Sequence, residues 1–164
     1  MSADSVEIQV VTFSLDKEVF AAPVSQVREI LDYQPAFKIP NGPSYLLGLI
    51  DVRGQGVPTL DLRLRLGMEP TQPTPYTRIL VLDIALGDRT LTLGLVADRV
   101  FEVATFRSDQ LEPAPDVGVP WRSEYIAGVV RREGGFVVMM DMGRLLSSED
   151  AFLLAPASGL GQAA

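Results

Sequence analysis

Four aspartates, Asp61, Asp83, Asp98 and Asp141, are the residues whose type suits acid–base work in this chain. Two carboxylates a set distance apart would serve glycoside hydrolysis. The chain has no histidine and no cysteine. Imidazole bases, Ser-His-Asp and Cys-His nucleophiles and phosphohistidine are therefore excluded. So are disulfides and thiolate zinc sites. Asp61 and Asp141 each precede a stretch suited to a short helix, so helix capping accounts for them. They fall in different halves of the chain, and no motif brings them together as a catalytic pair.

The charge balance narrows the partners. Fourteen basic residues stand against 21 acidic ones, a formal charge of −7 over 164 residues. Nucleic-acid binding needs a net positive face, and an anionic membrane surface would repel this chain. An OB- or SH3-like nucleic-acid module would also need an aromatic and basic strand face, which is missing. Apolar residues make up 47%, a globular composition able to bury a core. Met1 to Glu7 is polar and acidic, and no apolar run reaches membrane-spanning length. The expectation is a cytoplasmic protein with no direct membrane insertion.

Short β-rich runs must position whatever site exists. Ile8–Leu15 and Val19–Ala22 flank a polar turn at Asp16-Lys17-Glu18, and Val27–Leu31 follows. Leu46–Val52 and Val57–Leu60 flank Arg53-Gly54-Gln55-Gly56. Thr77–Leu86 and Thr90–Ala97 flank Gly87-Asp88-Arg89, and Ile126–Arg131 and Phe136–Met140 flank Glu133-Gly134-Gly135. Such spacing, without β-α-β alternation, predicts an all-β fold of small barrels or a sandwich. Met139, Met140 and Met142 read as core. One helical turn is expected over Pro23–Gln26. A short helix is expected between Asp61 and Gly67, and another over Ser147–Leu154. Gly67–Tyr76, with three prolines, reads as a linker, and Leu111–Arg122, holding Trp121, as a second loose stretch. Ala155–Ala164 reads as a frayed tail.

The chain repeats itself. Tyr45–Leu66 aligns with Tyr125–Leu146 at a constant offset without gaps, matching Tyr45 to Tyr125, Gly48 to Gly128, Gly54 to Gly134 and Asp61 to Asp141. Upstream, Val27 and Glu29 match Val100 and Glu102 at a slightly shorter offset. Both matches in order indicate a tandem duplication. The expected division is a first β-barrel subdomain over residues 1–75, a second over 76–146, and a C-terminal helix and tail over 147–164. Arg53 faces Glu133 across the repeat, so only the first copy carries this turn arginine.

The run Ile39–Gly67 resembles the CheW-type chemotaxis coupling proteins. It carries their proline approach, a glycine, an Arg-Gly turn at Arg53-Gly54, Pro58, and Asp61-Leu62-Arg63. The family's asparagine is replaced by Asp51. Val27-x-Glu29-Ile30, Gly94–Val103, and the pieces LEPAP, YIAGVV and LLSSEDAFLL extend the likeness over about Val10 to Leu154. The resemblance implies two SH3-like five-stranded β-barrels in tandem, with a few short helices. It implies a non-catalytic adaptor, without cofactor or metal. Such an adaptor links the cytoplasmic signalling tip of chemoreceptors (methyl-accepting chemotaxis proteins) to the regulatory domain of the histidine kinase CheA. It would sit in receptor arrays and could form rings with itself. Flagellar and non-flagellar systems, such as type IV pilus or gliding motility, use similar couplers.

The resemblance also implies a site. A receptor tip is a helical hairpin, so recognition would be helix-in-groove. Val27, Gly48 and Val103 would line the groove, Gly48 by leaving room for the incoming helix. Glu29 and Arg53 would form an orienting ion pair beside it.

Overall fold

The computed structural model describes residues 6–40, 42–113, 125–132 and 134–144. Trp121, the expected helix over Ser147–Leu154 and the tail Ala155–Ala164 lie outside them. Eleven strands follow in order: β1 (Glu7–Leu15), β2 (Glu18–Pro23), β3 (Val27–Asp32), β4 (Leu46–Val52), β5 (Gln55–Asp61), β6 (Arg78–Leu86), β7 (Arg89–Ala97), β8 (Arg99–Arg107), β9 (Leu111–Glu112), β10 (Ile126–Arg132) and β11 (Gly135–Met140). One α-helix, α1 (Leu62–Arg65), follows β5, and 3-10 turns cover Val24–Gln26, Ser108–Gln110 and Met142–Arg144. Among the described residues no helix is long and apolar enough to cross a membrane.

The strands form two sheets, β8-β1-β2-β11-β10-β9 and β3-β6-β7-β5-β4. Three apolar clusters explain their curvature. The largest takes Phe13, Leu15 and Phe20 from the first sheet and Leu80, Leu82 and Leu95 from the second, so it joins the two. The second cluster holds residues of the first sheet alone and packs Phe106 of β8 with Val130 of β10, strands from opposite ends of the strand order. The third likewise packs Leu31 of β3 with Ile50 and Val52 of β4. Each sheet is therefore rolled around its own small core. Among the described residues no ladder closes either roll, and the first has a sixth, two-residue strand.

This arrangement explains the sequence pattern of β1 and β6. Val11, Phe13 and Leu15 face the shared core while Val10 faces the inside of the first roll. Leu80, Leu82 and Ile84 face the shared core while Ile79 and Val81 face the inside of the second. A strand buried on both faces reads as a continuous apolar run instead of an alternation. Buried Thr12 is satisfied by donating from Oγ1 to the Glu102 carbonyl, 3.0 Å away. The three methionines near the end of β11 are core, as expected.

The duplication is visible in hydrogen bonds. The Asp61 N–H donates to the Tyr45 carbonyl at 2.8 Å, and the Asp141 N–H to the Tyr125 carbonyl at 2.9 Å. Both β4 and β10 shift register just before the repeated glycine. Tyr45 and Tyr125 are both buried. The Arg65 guanidinium lies over both rings, 4.8 Å and 4.6 Å from their centroids.

The expected division at residue 75 gives way to an interleaved one. The β1–β2 hairpin of the first copy joins the sheet containing β8, β10 and β11, and the β6–β7 hairpin of the second joins β3, β4 and β5. The exchange is reciprocal: β5 runs parallel to β7 with Thr59 beside Gly94, and β11 runs parallel to β2 with Met139 beside Ala21. Strand β8 is a further correction, since no strand was expected along its whole length. As an edge strand it exposes six of its nine residues, which hides the apolar alternation. The stretch expected to be loose from Leu111 begins instead with β9, paired to β10.

Candidate functional site

The turn joining β4 to β5 is two residues long, with Arg53 at φ +54° and Gly54 at φ +84°. Two positive φ values suit the twist of a tight hairpin. For a non-glycine residue that conformation costs about 1–2 kcal/mol. Asp51 compensates: its Oδ1 accepts the Gly54 N–H at 2.8 Å. An aspartate therefore makes the turn contact at the position where the resembled family carries asparagine. The turn aims Arg53 at β3, where Nε donates to Glu29 Oε2 at 3.2 Å and Nη2 to Oε1 at 3.4 Å. The Glu29 side chain is 19% exposed and Arg53 is 82% exposed. An ion pair so open to water contributes about 0–1 kcal/mol to folding.

The remaining expected residues separate. Val27 is half-buried on β3 and packs against the shared core. Val103 is 59% exposed on β8. Val27 and Glu29 thus stand on an edge strand of one sheet, and Val103 on the equivalent edge strand of the other. Gly48, on β4, is buried at φ +139°, and a Cβ there would lie 2.0 Å from the Phe37 carbonyl oxygen. The room it leaves is filled by this chain's own backbone, where Phe37 and Leu49 exchange hydrogen bonds of 2.7 and 2.8 Å. The expectation that Gly48 clears space for an incoming helix is corrected accordingly. Its repeat mate Gly128 does the same for Leu111 and Glu112.

Each of the four aspartates has a structural partner. Asp61 Oδ1 accepts the Leu64 N–H at 3.3 Å and caps α1. Asp83 accepts from Thr92 Oγ1 at 2.6 Å and from Arg28 Nε at 2.9 Å. The Asp141 carbonyl accepts the Arg144 N–H at 3.1 Å. Asp98 belongs to a cluster that sequence reasoning missed. Arg63, on α1, is buried and donates to Asp98 through Nε (3.0 Å) and Nη2 (2.7 Å). Its Nη2 also meets Asp16, and its Nη1 donates to the Glu69 carbonyl at 2.7 Å. Burial pushes the Asp98 carboxyl up, but the Arg63 hydrogen bonds, the Asp16 N–H and the Arg63 charge together hold it below the ordinary range. The hydrogen bonding that Arg63 donates to Asp98 is the main reason its guanidinium is held more firmly protonated than usual. The cluster ties α1, the β1–β2 turn, the β7–β8 corner and the start of the proline-rich linker. In sequence Arg63 stands out only as an arginine inside an apolar run, Leu62-Arg63-Leu64, and as the end of the Asp61-Leu62-Arg63 motif, and neither points to Asp98 or Asp16.

Two rolled, interleaved sheets with their polar clusters spent on caps and clamps define an all-β tandem-barrel module. Its exposed ion pair and apolar side chains sit at sheet edges. The chain belongs to the CheW-like domain family, whose model matches residues 9–150. It is 28% identical to the chemotaxis protein CheW of Rhizobium meliloti over 87% of this chain and 89% of that one. It is 29% identical to Protein PilI of Pseudomonas aeruginosa over 77% of this chain and 68% of that one. Its fold matches the crystal structure of the scaffolding protein TtCheW from Thermoanaerobacter tengcongensis with a TM-score of 0.78 and 26% identity, covering 88% and 91% of the two chains.

Proposed function

We propose that this chain is a non-catalytic adaptor that couples the cytoplasmic tips of chemoreceptors to the regulatory domain of a CheA-type histidine kinase. Family membership supports the scaffold role, and the name of the TtCheW relative agrees with it. The observation that carries the site is the Arg53–Glu29 pair. A strained turn and an Asp51 contact hold an arginine that adds almost nothing to stability, and its outer face is left to solvent. Such expense suits recognition: Glu29 orients the guanidinium, and a partner takes its remaining donors. Val27 and Val103 supply apolar contacts on the two edge strands. Gly48 acts indirectly, by letting the Phe37 segment seal the side of β4.

The test is separate pull-down of a receptor signalling tip and of the kinase regulatory domain, with wild type and Arg53→Glu. The variant is expected to fold normally and to lose coupling. Normal ternary assembly and kinase activation by Arg53→Glu would overturn the role given to the pair. The match to Protein PilI favours a second reading, the same adaptor chemistry in a non-flagellar chemosensory system. Exchange of receptor tips between systems separates the two, because only the cognate tip should be captured strongly.

A further inference from the structure

We infer that two copies of this chain exchange halves through the Gly67–Tyr76 strap, giving a dimer in which every pair of rolls is built from both chains. The inference goes beyond the adaptor reading and stands on the ladder pattern. Residues 7–66 supply two hairpins, β1–β2 and β4–β5, and the single strand β3. Residues 77–140 supply the β6–β7 hairpin, the single strand β8 and the group β9, β10 and β11. Among the described residues no ladder joins β3 to either hairpin of its own half, and none joins β8 to the rest of its half. The pieces are joined by β1 with β8, β3 with β6, β5 with β7 and β2 with β11, and each of these ladders runs between the halves. A half supplied by a second copy offers the same ladders, the same shared core and the same Arg63–Asp98 and Arg65–Tyr125 contacts. Exchange of identical halves therefore changes the path of the strap alone.

The strap is held lightly. Residues 69–76 are exposed, and none of them joins an apolar cluster. Its ties to the body are Arg63 Nη1 donating to the Glu69 carbonyl at 2.7 Å, Arg78 Nη1 donating to the Pro75 carbonyl at 2.8 Å, and the Arg99 guanidinium over the Tyr76 ring. Between these ties Thr71, Gln72 and Pro73 border a cavity of about 110 Å³ whose other walls include Asp61, Arg63 and Asp98. Pro70, Pro73 and Pro75 fix their own φ and bias the residues before them, Glu69, Gln72 and Thr74, towards extended backbone. A strap of this composition resists folding back on itself.

Reach and concentration set when exchange occurs. Opened, the ten residues Gly67–Tyr76 span up to about 33–36 Å, enough to lead from one pair of rolls into a neighbouring one. Closure within one chain acts as an effective concentration on the order of millimolar. Dilute chains therefore close on themselves, and exchange competes only where copies are crowded. The exchanged dimer ties two complete units together. In each unit Val27, Glu29 and Arg53 come from one chain and Val103 from the other.

The experiment refolds the full chain, and a variant lacking Pro70–Pro73, from urea at about 10 μM and at about 1 mM, concentrations on either side of the effective one. Light scattering counts the copies. The cysteine pair Gln9→Cys with Thr105→Cys, oxidised after dilution, reports which chains are paired. Those two exposed positions face each other across β1 and β8, and the chain has no other cysteine. The full-length strap is expected to give monomer at the lower concentration and a share of dimer at the higher one, with the dimer's disulfides between chains. The shortened strap cannot keep its ties to Arg63 and Arg78 within one chain, so its dimer is expected to form at a concentration at least about tenfold lower. A folded monomer of the shortened chain at the higher concentration would overturn the inference. A dimer whose disulfides stay within each chain would also overturn it, because that is side-by-side contact. Should the shortened chain fail to fold, the full-length strap decides: no interchain disulfide after refolding at the higher concentration overturns the exchange.

Discussion

Gly48 and Arg53 both adopt positive φ, and for opposite ends. At Gly48 the missing side chain is structural: a Cβ would run into the Phe37 carbonyl at 2.0 Å. Gly48→Ala is therefore expected to destabilise the fold by about 2–4 kcal/mol through strain and displacement of the Phe37 segment. A lowered urea midpoint checks it; an unchanged midpoint would show that the backbone yields easily. At Arg53 the strain serves an exposed pair, so Arg53→Glu should move stability by less than about 1 kcal/mol, read as a nearly unchanged melting temperature. The repeat and the family motif make Gly48, Arg53 and Glu29 legible as special positions. What Gly48 touches was not legible, because a segment eleven residues upstream fills its space, and no local pattern records that.

At the scale of elements, the Arg63 cluster ties α1 to the corner where the β1–β8 ladder ends at Ser14 and Arg99. Removing the guanidinium by Arg63→Met leaves the Asp98 and Asp16 carboxylates facing each other in a half-buried site. The expected loss is about 2–3 kcal/mol, a drop in melting temperature of about 5–10 °C for a domain of this size. The pH dependence has a definite sign. The folded-state pKa of Asp98 is depressed, so its contribution is fully present above the ordinary aspartate value of about 3.9 and is lost as pH falls through the lower folded value. Asp98→Asn should thus be clearly less stable than wild type at pH 7, and the gap should narrow below about pH 4. A gap that stays constant from pH 7 to pH 3 would contradict the assignment. Strand identities were largely legible because β1, β2, β4, β5, β6, β7, β10 and β11 are bounded by Gly-rich or polar turns. Strand β8 was not, since an edge strand that exposes Phe101 and Val103 lacks the alternation that marks a half-buried one.

At the scale of the whole molecule, the two copies are not two beads. Each gives its first hairpin to the other's sheet, and the largest core cluster draws on both. The duplication was legible in the matched Tyr, Gly and Asp positions, whereas the exchange was not. It is set by parallel pairings, β5 with β7 and β11 with β2, between segments far apart in sequence. A fragment of residues 1–75 should therefore stay unfolded alone, and fragments 1–75 and 76–164 mixed together should fold as one complex with a single urea transition. Independent folding of 1–75 would contradict the interleaved arrangement. Interleaving also fixes β3 and β8, the two edges proposed to meet a receptor, relative to one another through a shared core. A rigid pair of edges is what an adaptor needs to transmit receptor state to a kinase. The most direct test is reconstitution of kinase activity from receptor tips and kinase, with the chain added in increasing amounts. The account predicts that activity depends on the chain and that it binds tip and kinase regulatory domain separately. Binding to neither, with kinase activity independent of the chain, would contradict it.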